Sequence, residues 1–192
     1  MKVYPELDDR LRKFIVSQPM FFVATAPCLD ASGQGGHVNV SPKGYRDTFA
    51  ILDSLTVAYL DLTGSGAETI AHLRENGRIV IMCCAFAGPP KIVRLHGRGR
   101  IMLEGDPEYA ATRLAFAKPR DRGLRSIIVV EVDRIADSCG FSVPLMDFVT
   151  DRDLLDRSQE RREPQYFDQY RATRNAVSID GLPALAPDPA LR

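Results

Sequence analysis

What most restricts this chain is the shortness of the links between its apolar, strand-like segments. Residues 20–26 (MFFVATA), 37–41, 49–53, 55–62, 78–86, 91–103 and 126–133 carry strand content or strand alternation. Parallel strands need a crossover of a dozen or more residues, and most of these links are shorter. The sheet is therefore expected to be mostly antiparallel. Six or seven such strands in one chain close most easily as a barrel, which leaves few edges unpaired. The fold expected is mainly β with flanking helices. The 192 residues make one domain, with a barrel core over 20–135 and a helical extension over 137–192.

The helices read from periodicity and stops. Leu7, Leu11, Phe14 and Ile15 form one apolar face of a helix over 6–18, stopped by Pro19. A second helix spans 65–76, with Ile70 and Leu73 inward and Gly77 as its stop. Asp106-Pro107 reads as an N-cap and first-turn proline, starting a helix to about 117. Two polar helices, 151–162 and 165–174, are split by Pro164, and the proline-rich end is expected to fray. Pro42 is expected to end the strand 37–41, because it has no N–H to give. The near-continuous apolar run 78–86 reads as a strand buried on both sides, and Gly97 and Gly99 suggest a bend or bulge in the long strand.

Composition removes several function classes. Lys plus Arg equals Asp plus Glu, 25 each, so there is no basic excess for nucleic acid. Cys28, Cys83, Cys84 and Cys139 form no C-x-x-C pair, and His37, His72 and His96 are scattered, so no metal site is expected. No nucleophile–base motif of a hydrolase is present. The first residues are charged and lack the apolar core of a signal peptide, and the longest apolar run, 79–87, cannot span a bilayer. A cytoplasmic protein without membrane contact is expected.

The chemistry concentrates in 37–76. Asn39, Ser41 and Lys43 share one face of a strand, and Val38 and Val40 share the other. Ser65-Gly66-Ala67-Glu68 fits a capping box, in which Ser65 caps the helix and Glu68 reaches back. The same turn also reads as an anion cradle. Free N–H groups and the helix dipole favour a phosphate there, Gly64 and Gly66 allow close approach, and Thr63, Ser65 and Thr69 add hydroxyls. Glu68 opposes that reading unless it points away. Lys43 is a candidate point charge for the anion, and one of Arg94, Arg98 and Arg100, which share a strand face, could complete the site from this chain or across a subunit interface.

The segments FFVATA, HVNVSPKG, VAYLDLTGSGAETIAHLRENGRIVIM and GRGRI, in that order, resemble the pyridoxamine 5′-phosphate oxidase-like family. SCGFSVPLMDFV and SIDGLPAL resemble a bacterial subgroup of it. The resemblance implies a six-stranded antiparallel split β-barrel of Greek-key type, flanked by helices, with FMN at the interface of a homodimer. It implies that Val38, Asn39, Val40, Ser41 and Lys43 support the flavin, and that Asp61, Thr63, Ser65 and Gly66 meet its phosphate and ribityl chain. Many members carry Arg or Lys after the turn serine, where this chain has Gly66-Ala67, so Lys43, Arg94, Arg98 or the helix end must meet the phosphate. The chain has no Trp and lacks the C-terminal signature of true pyridoxamine phosphate oxidases, which argues against vitamin B6 oxidation and carries over no catalytic residue. The function expected is an FMN-dependent oxidoreductase acting on an unidentified small molecule. The alternatives are a non-catalytic flavin or haem binder and a deazaflavin-dependent reductase.

Overall fold

The computed structural model describes residues 1–29, 32–119 and 121–186; the proline-rich end from 187 lies outside the described residues. The strands are β1 (Lys2–Tyr4), β2 (Phe21–Thr25), β3 (Asn39–Lys43), β4 (Phe49–Ile51), β5 (Thr56–Leu62), β6 (Arg78–Cys84), β7 (Ile92–Met102) and β8 (Leu124–Ser138). The helices are α1 (Asp9–Ser17), α2 (Glu68–Glu75), α3 (Tyr109–Arg113), α4 (Leu154–Glu160) and α5 (Pro164–Arg174). One sheet runs β3-β2-β6-β7-β8-β5-β4, and β1 adds to β8. Every pairing is antiparallel, as the short links require.

The sheet curls upon itself. Phe21 on β2 packs edge-on against Phe49 of β4 at 5.0 Å and Tyr59 of β5 at 5.5 Å. Three strands separate β2 from β5 in the sheet, so only curling brings these rings together. The inner face buries Val23, Ile81, Leu95, Ile128 and Val57, and α1 plugs one end with Leu11 and Ile15. Asp8 caps α1 by accepting from the Leu11 N–H at 2.8 Å.

Among the described residues the sheet has eight strands, not the six or seven read from the sequence. β1 escapes a sequence reading because three residues carry no periodicity. It is fixed by its partner: Lys2 to Tyr4 pair with Asp137 to Ile135, and the Tyr4 hydroxyl reaches Asp137 Oδ2 at 2.5 Å. β8 also runs five residues past its expected end, one edge taken by β7 and the other shared by β5 and β1.

Four local expectations are corrected. Pro42 does not end its strand: it sits inside β3 opposite Phe22, and β3 is an edge strand, where a missing donor faces no partner. β6 is buried on one side only: Ile79, Ile81 and Cys83 point inward, while Val80 and Met82 are half-buried on the outer face. The helix expected from Asp106 shrinks to one turn, because the Asp106 carboxylate turns back to accept the Leu103 N–H. The helix expected from Ser65 starts at Glu68. The expected bulge is present: the β7–β8 register shifts between His96 and Gly97. Gly77, at φ +72°, stops α2.

Candidate functional site

The curl leaves a gap between β3 and the turn that joins β5 to α2, and this gap is the candidate site. Antiparallel register places Asn39, Ser41 and Lys43 opposite Thr25, Val23 and Phe21, so they share the inner side of the sheet. Val38 and Val40 face outward and are exposed. Across the gap, Gly64, Gly66, Glu68 and Thr69 form the opposing wall, and Arg125 of β8 closes the floor. The cavity between them is about 120 Å³. That holds a phosphate-sized group, whereas whole-ligand pockets run to roughly 300 Å³ or more.

Asp61 organises the charges beneath this cavity. It is 1% exposed. Arg125 Nε donates to Oδ2 at 2.8 Å, Ser126 Oγ lies 3.3 Å from the same oxygen, and Lys43 Nζ stands 3.4 Å from Oδ1. Burial pushes its carboxyl up, but the Arg125 guanidinium and the Lys43 ammonium outweigh burial and hold it below the usual carboxylate range. Asp61 is thus an anion that holds two cations at the edge of the cavity, and it is not itself on the wall. Arg125 Nη1 also donates to the Gly66 carbonyl at 2.7 Å, which ties the charge pair to the turn.

A second network orders the β3 wall. Ser41 Oγ donates to Asn39 Oδ1 at 2.9 Å, and Asn39 Nδ2 donates to Thr69 Oγ1 at 3.0 Å and to Thr25 Oγ1 at 3.2 Å. Thr25 Oγ1 is 2.9 Å from Nδ1 of His72. His72 is fully buried, and burial lowers its pKa, so the ring is neutral at pH 7.

The capping box does not form. The residue before α2 is Ala67, and no side chain caps the helix. Glu68 does not reach back to Ser65. Its Oε1 accepts the Ile179 N–H at 3.3 Å, and its Oε2 lies where a Cβ on Gly66 would come within 2.6 Å. Glu68 therefore remains at the cavity wall.

The structure brings together Asn39, Ser41, Lys43, Gly66 and Thr69, with Asp61 behind them. Thr63 is turned away: its hydroxyl accepts from Arg171 Nε and Nη2, each at 3.2 Å. Ser65 is exposed on the turn. Arg94 and Arg98 lie elsewhere on the chain. Arg94 donates to Ser138 Oγ at 3.1 Å, and Arg98 donates to the Asn76 carbonyl, at the opposite end of α2. The sequence reading missed Arg125, although it is the only charge between Gly123 and Val130, a signal that a buried charge needs a partner. It also missed Gln159, Arg171 and Asn175, which reach the turn from the C-terminal segment.

The Lys43 ammonium, the Arg125 guanidinium, the Thr69 hydroxyl and the Gly64 and Gly66 backbone that line the cavity suit an oxyanion. Glu68 is the one group that opposes it. The arrangement can bind and orient a phosphate end.

Comparison with known proteins bears on this geometry. The family described as Pyridoxamine 5′-phosphate oxidase matches residues 7–139. The chain is 39% identical over 196 residues to the pyridoxamine 5′-phosphate oxidase family protein ustO of Aspergillus flavus, covering 95% of this chain and 77% of that protein. Among solved structures it is similar to HupZ of Group A Streptococcus. A variant of HupZ superposes with a TM-score of 0.52 at 25% identity, covering 69% of this chain and 99% of that one. A second HupZ structure gives 0.52 at 24% identity, covering 73% and 98%. Among the described residues, no helix is long and apolar enough to cross a membrane.

Proposed function

We infer that this chain, which belongs to the pyridoxamine 5′-phosphate oxidase family, binds FMN through the cavity between β3 and the 63–67 turn and serves as a flavin-dependent oxidoreductase on a small molecule. The observation that carries the reading is the convergence of Lys43, Arg125, Ser41 and Thr69 on one phosphate-sized cavity at the start of α2. The residues present fit the terminal phosphate at Gly64, where a Cβ would meet only the Leu62 carbonyl at 3.9 Å, and at Lys43, one quarter exposed at the rim; Glu68 Oε2 stands over Gly66 and must swing aside. Bound there, the flavin would supply the electron transfer. The chain's own contribution is to hold and orient. Asn39 is locked by Thr25 and Thr69, so the β3 wall is preorganised. Asp61 fixes Arg125 and steadies Lys43.

The cavity is too small for the remainder of a flavin. This supports a homodimer in which a second copy covers the rest, and Val40, exposed on the edge strand β3, with Val38 just before it, is consistent with it. Glu68 favours a competing reading, in which the turn is structural and holds no ligand.

Titration of the purified protein with FMN, read by quenching of flavin fluorescence, separates the two. Saturable quenching at one FMN per chain is expected. Lys43→Met should weaken binding by about tenfold or more, the loss of one charge-assisted hydrogen bond. No quenching would sink the flavin reading. A preference for deazaflavin, or a Soret band on adding haem, would move the protein to those cofactors.

A further inference from the structure

The segment after β8 returns to the back of the 63–66 turn and takes hold of its backbone. Gln159 Nε2 donates to the Thr63 carbonyl at 3.4 Å. Asn175 Nδ2 donates to the Gly64 carbonyl at 2.9 Å and to that of Ser65 at 3.4 Å. Arg171 holds the Thr63 hydroxyl from α5 and donates to the Leu124 carbonyl at 2.8 Å, which joins the turn to β8. The strap is itself well seated. Ala184 is fully buried against Ala67, Ile70 and Ala71 of the α2 region. Asp180 accepts from the His37 N–H at 2.7 Å, and its other oxygen meets the His37 ring at 2.6 Å.

Peptide geometry gives these contacts a consequence. In a planar trans peptide, the carbonyl of one residue and the N–H of the next point in opposite directions. With the carbonyls of Thr63, Gly64 and Ser65 drawn to the strap, the N–H groups of Gly64, Ser65 and Gly66 point away from it. Gly64 and Gly66 line the cavity on that side. The strap accepts an unfavourable arrangement to do this. Asn175 is fully buried and Gln159 is 5% exposed, yet Asn175 Oδ1 and Gln159 Oε1 have no protein partner. Each amide gives its NH₂ to the turn and leaves its carbonyl oxygen unpaired, which is costly in a buried site.

We propose that the C-terminal strap is part of the anion site: Asn175 and Arg171 are positioning residues, Asn175 fixing the Gly64 and Ser65 peptide planes and Arg171 anchoring the Thr63 side chain where the turn leaves β5, so that the turn's N–H groups meet the cofactor phosphate. The proposal rests on the flavin reading and assigns a role to a segment outside the residues 7–139 that the family matches. Neither residue touches the phosphate; each acts through the turn.

The test compares FMN with riboflavin, which lacks the phosphate, on the unaltered protein, Asn175→Leu, Arg171→Ala and Arg171→Lys. Thermal melting of each variant reports folding. Asn175→Leu and Arg171→Ala should weaken FMN by about tenfold, the worth of one lost hydrogen bond to a buried group, and leave riboflavin within about twofold. Arg171→Lys keeps the charge and one donor, and should recover part of the loss. Equal loss of FMN and riboflavin, or no loss of either, would overturn the proposal, since a purely structural strap does not discriminate by phosphate. If Asn175→Leu does not fold, the Arg171→Lys against Arg171→Ala comparison carries the same decision. Failure of the unaltered protein to bind FMN would overturn the flavin reading itself, and with it this role.

Discussion

At Asp61, two cations and a hydroxyl converge on a carboxylate that water does not reach. Removing one partner of a buried pair costs about 3–5 kcal/mol, because the remaining charge stays buried. Arg125→Leu should therefore lower stability by about that amount in urea unfolding, the upper part of the range being offset by Lys43. The pH dependence has a definite sign. The folded carboxyl sits below its ordinary value of 3.8, so its contribution is present above that value and is lost as pH falls toward the folded one. Stability should hold constant from neutral pH to about 5, with respect to this group, and fall below about 4; Asp61→Asn should flatten that acid limb. At this scale the sequence revealed what strand parity controls. Asn39, Ser41 and Lys43 were legible as one face because alternate residues of a strand share a side. Arg125 and Asn175 were not, because they meet Gly66 and Gly64 across 59 and 111 residues, and no local pattern records such a distance.

Helix starts and bulges decide the next scale. Ser65 looks like a cap in sequence but makes no cap bond, whereas Asp8 caps α1. Ser65→Ala should change stability by less than about 0.5 kcal/mol, and Asp8→Ala should cost about 1 kcal/mol. Equilibrium denaturation of the two variants compares them directly. A four-residue motif cannot reveal the outcome, because the contacts that hold the Gly64 and Ser65 carbonyls come from Asn175, 110 or more residues away. Gly97 is the opposite case, a glycine whose role could be read. It lies at the β7–β8 bulge, and a Cβ there would run into the Glu131 backbone carbonyl. Backbone cannot yield as a flexible side chain does, so Gly97→Ala should cost about 3 kcal/mol, near the top of the usual overpacking range. The same mutation at Gly105, whose Cβ position is open, should be nearly silent.

For the whole molecule, short links between strands dictate an antiparallel sheet, and that much was legible. The extra strand and the length of β8 were not, since three residues acquire strand identity only from a partner more than 130 positions away. The molecule also leaves apolar side chains uncovered. Val40 is exposed on the edge strand β3 and Val38 just before it, as are Phe141, Leu145 and Val149 after β8. If the proposed homodimer forms through the β3 edge, sedimentation should give twice the chain mass, with Val40→Lys shifting it toward the monomer. The most direct measurement for the account as a whole is a crystal structure of the protein with FMN. The account predicts the phosphate within hydrogen-bonding distance of Lys43 Nζ and of the N–H groups of residues 64–66. A flavin whose phosphate lies elsewhere, such as on Arg94 or Arg98, or a cavity that FMN leaves empty, would contradict it.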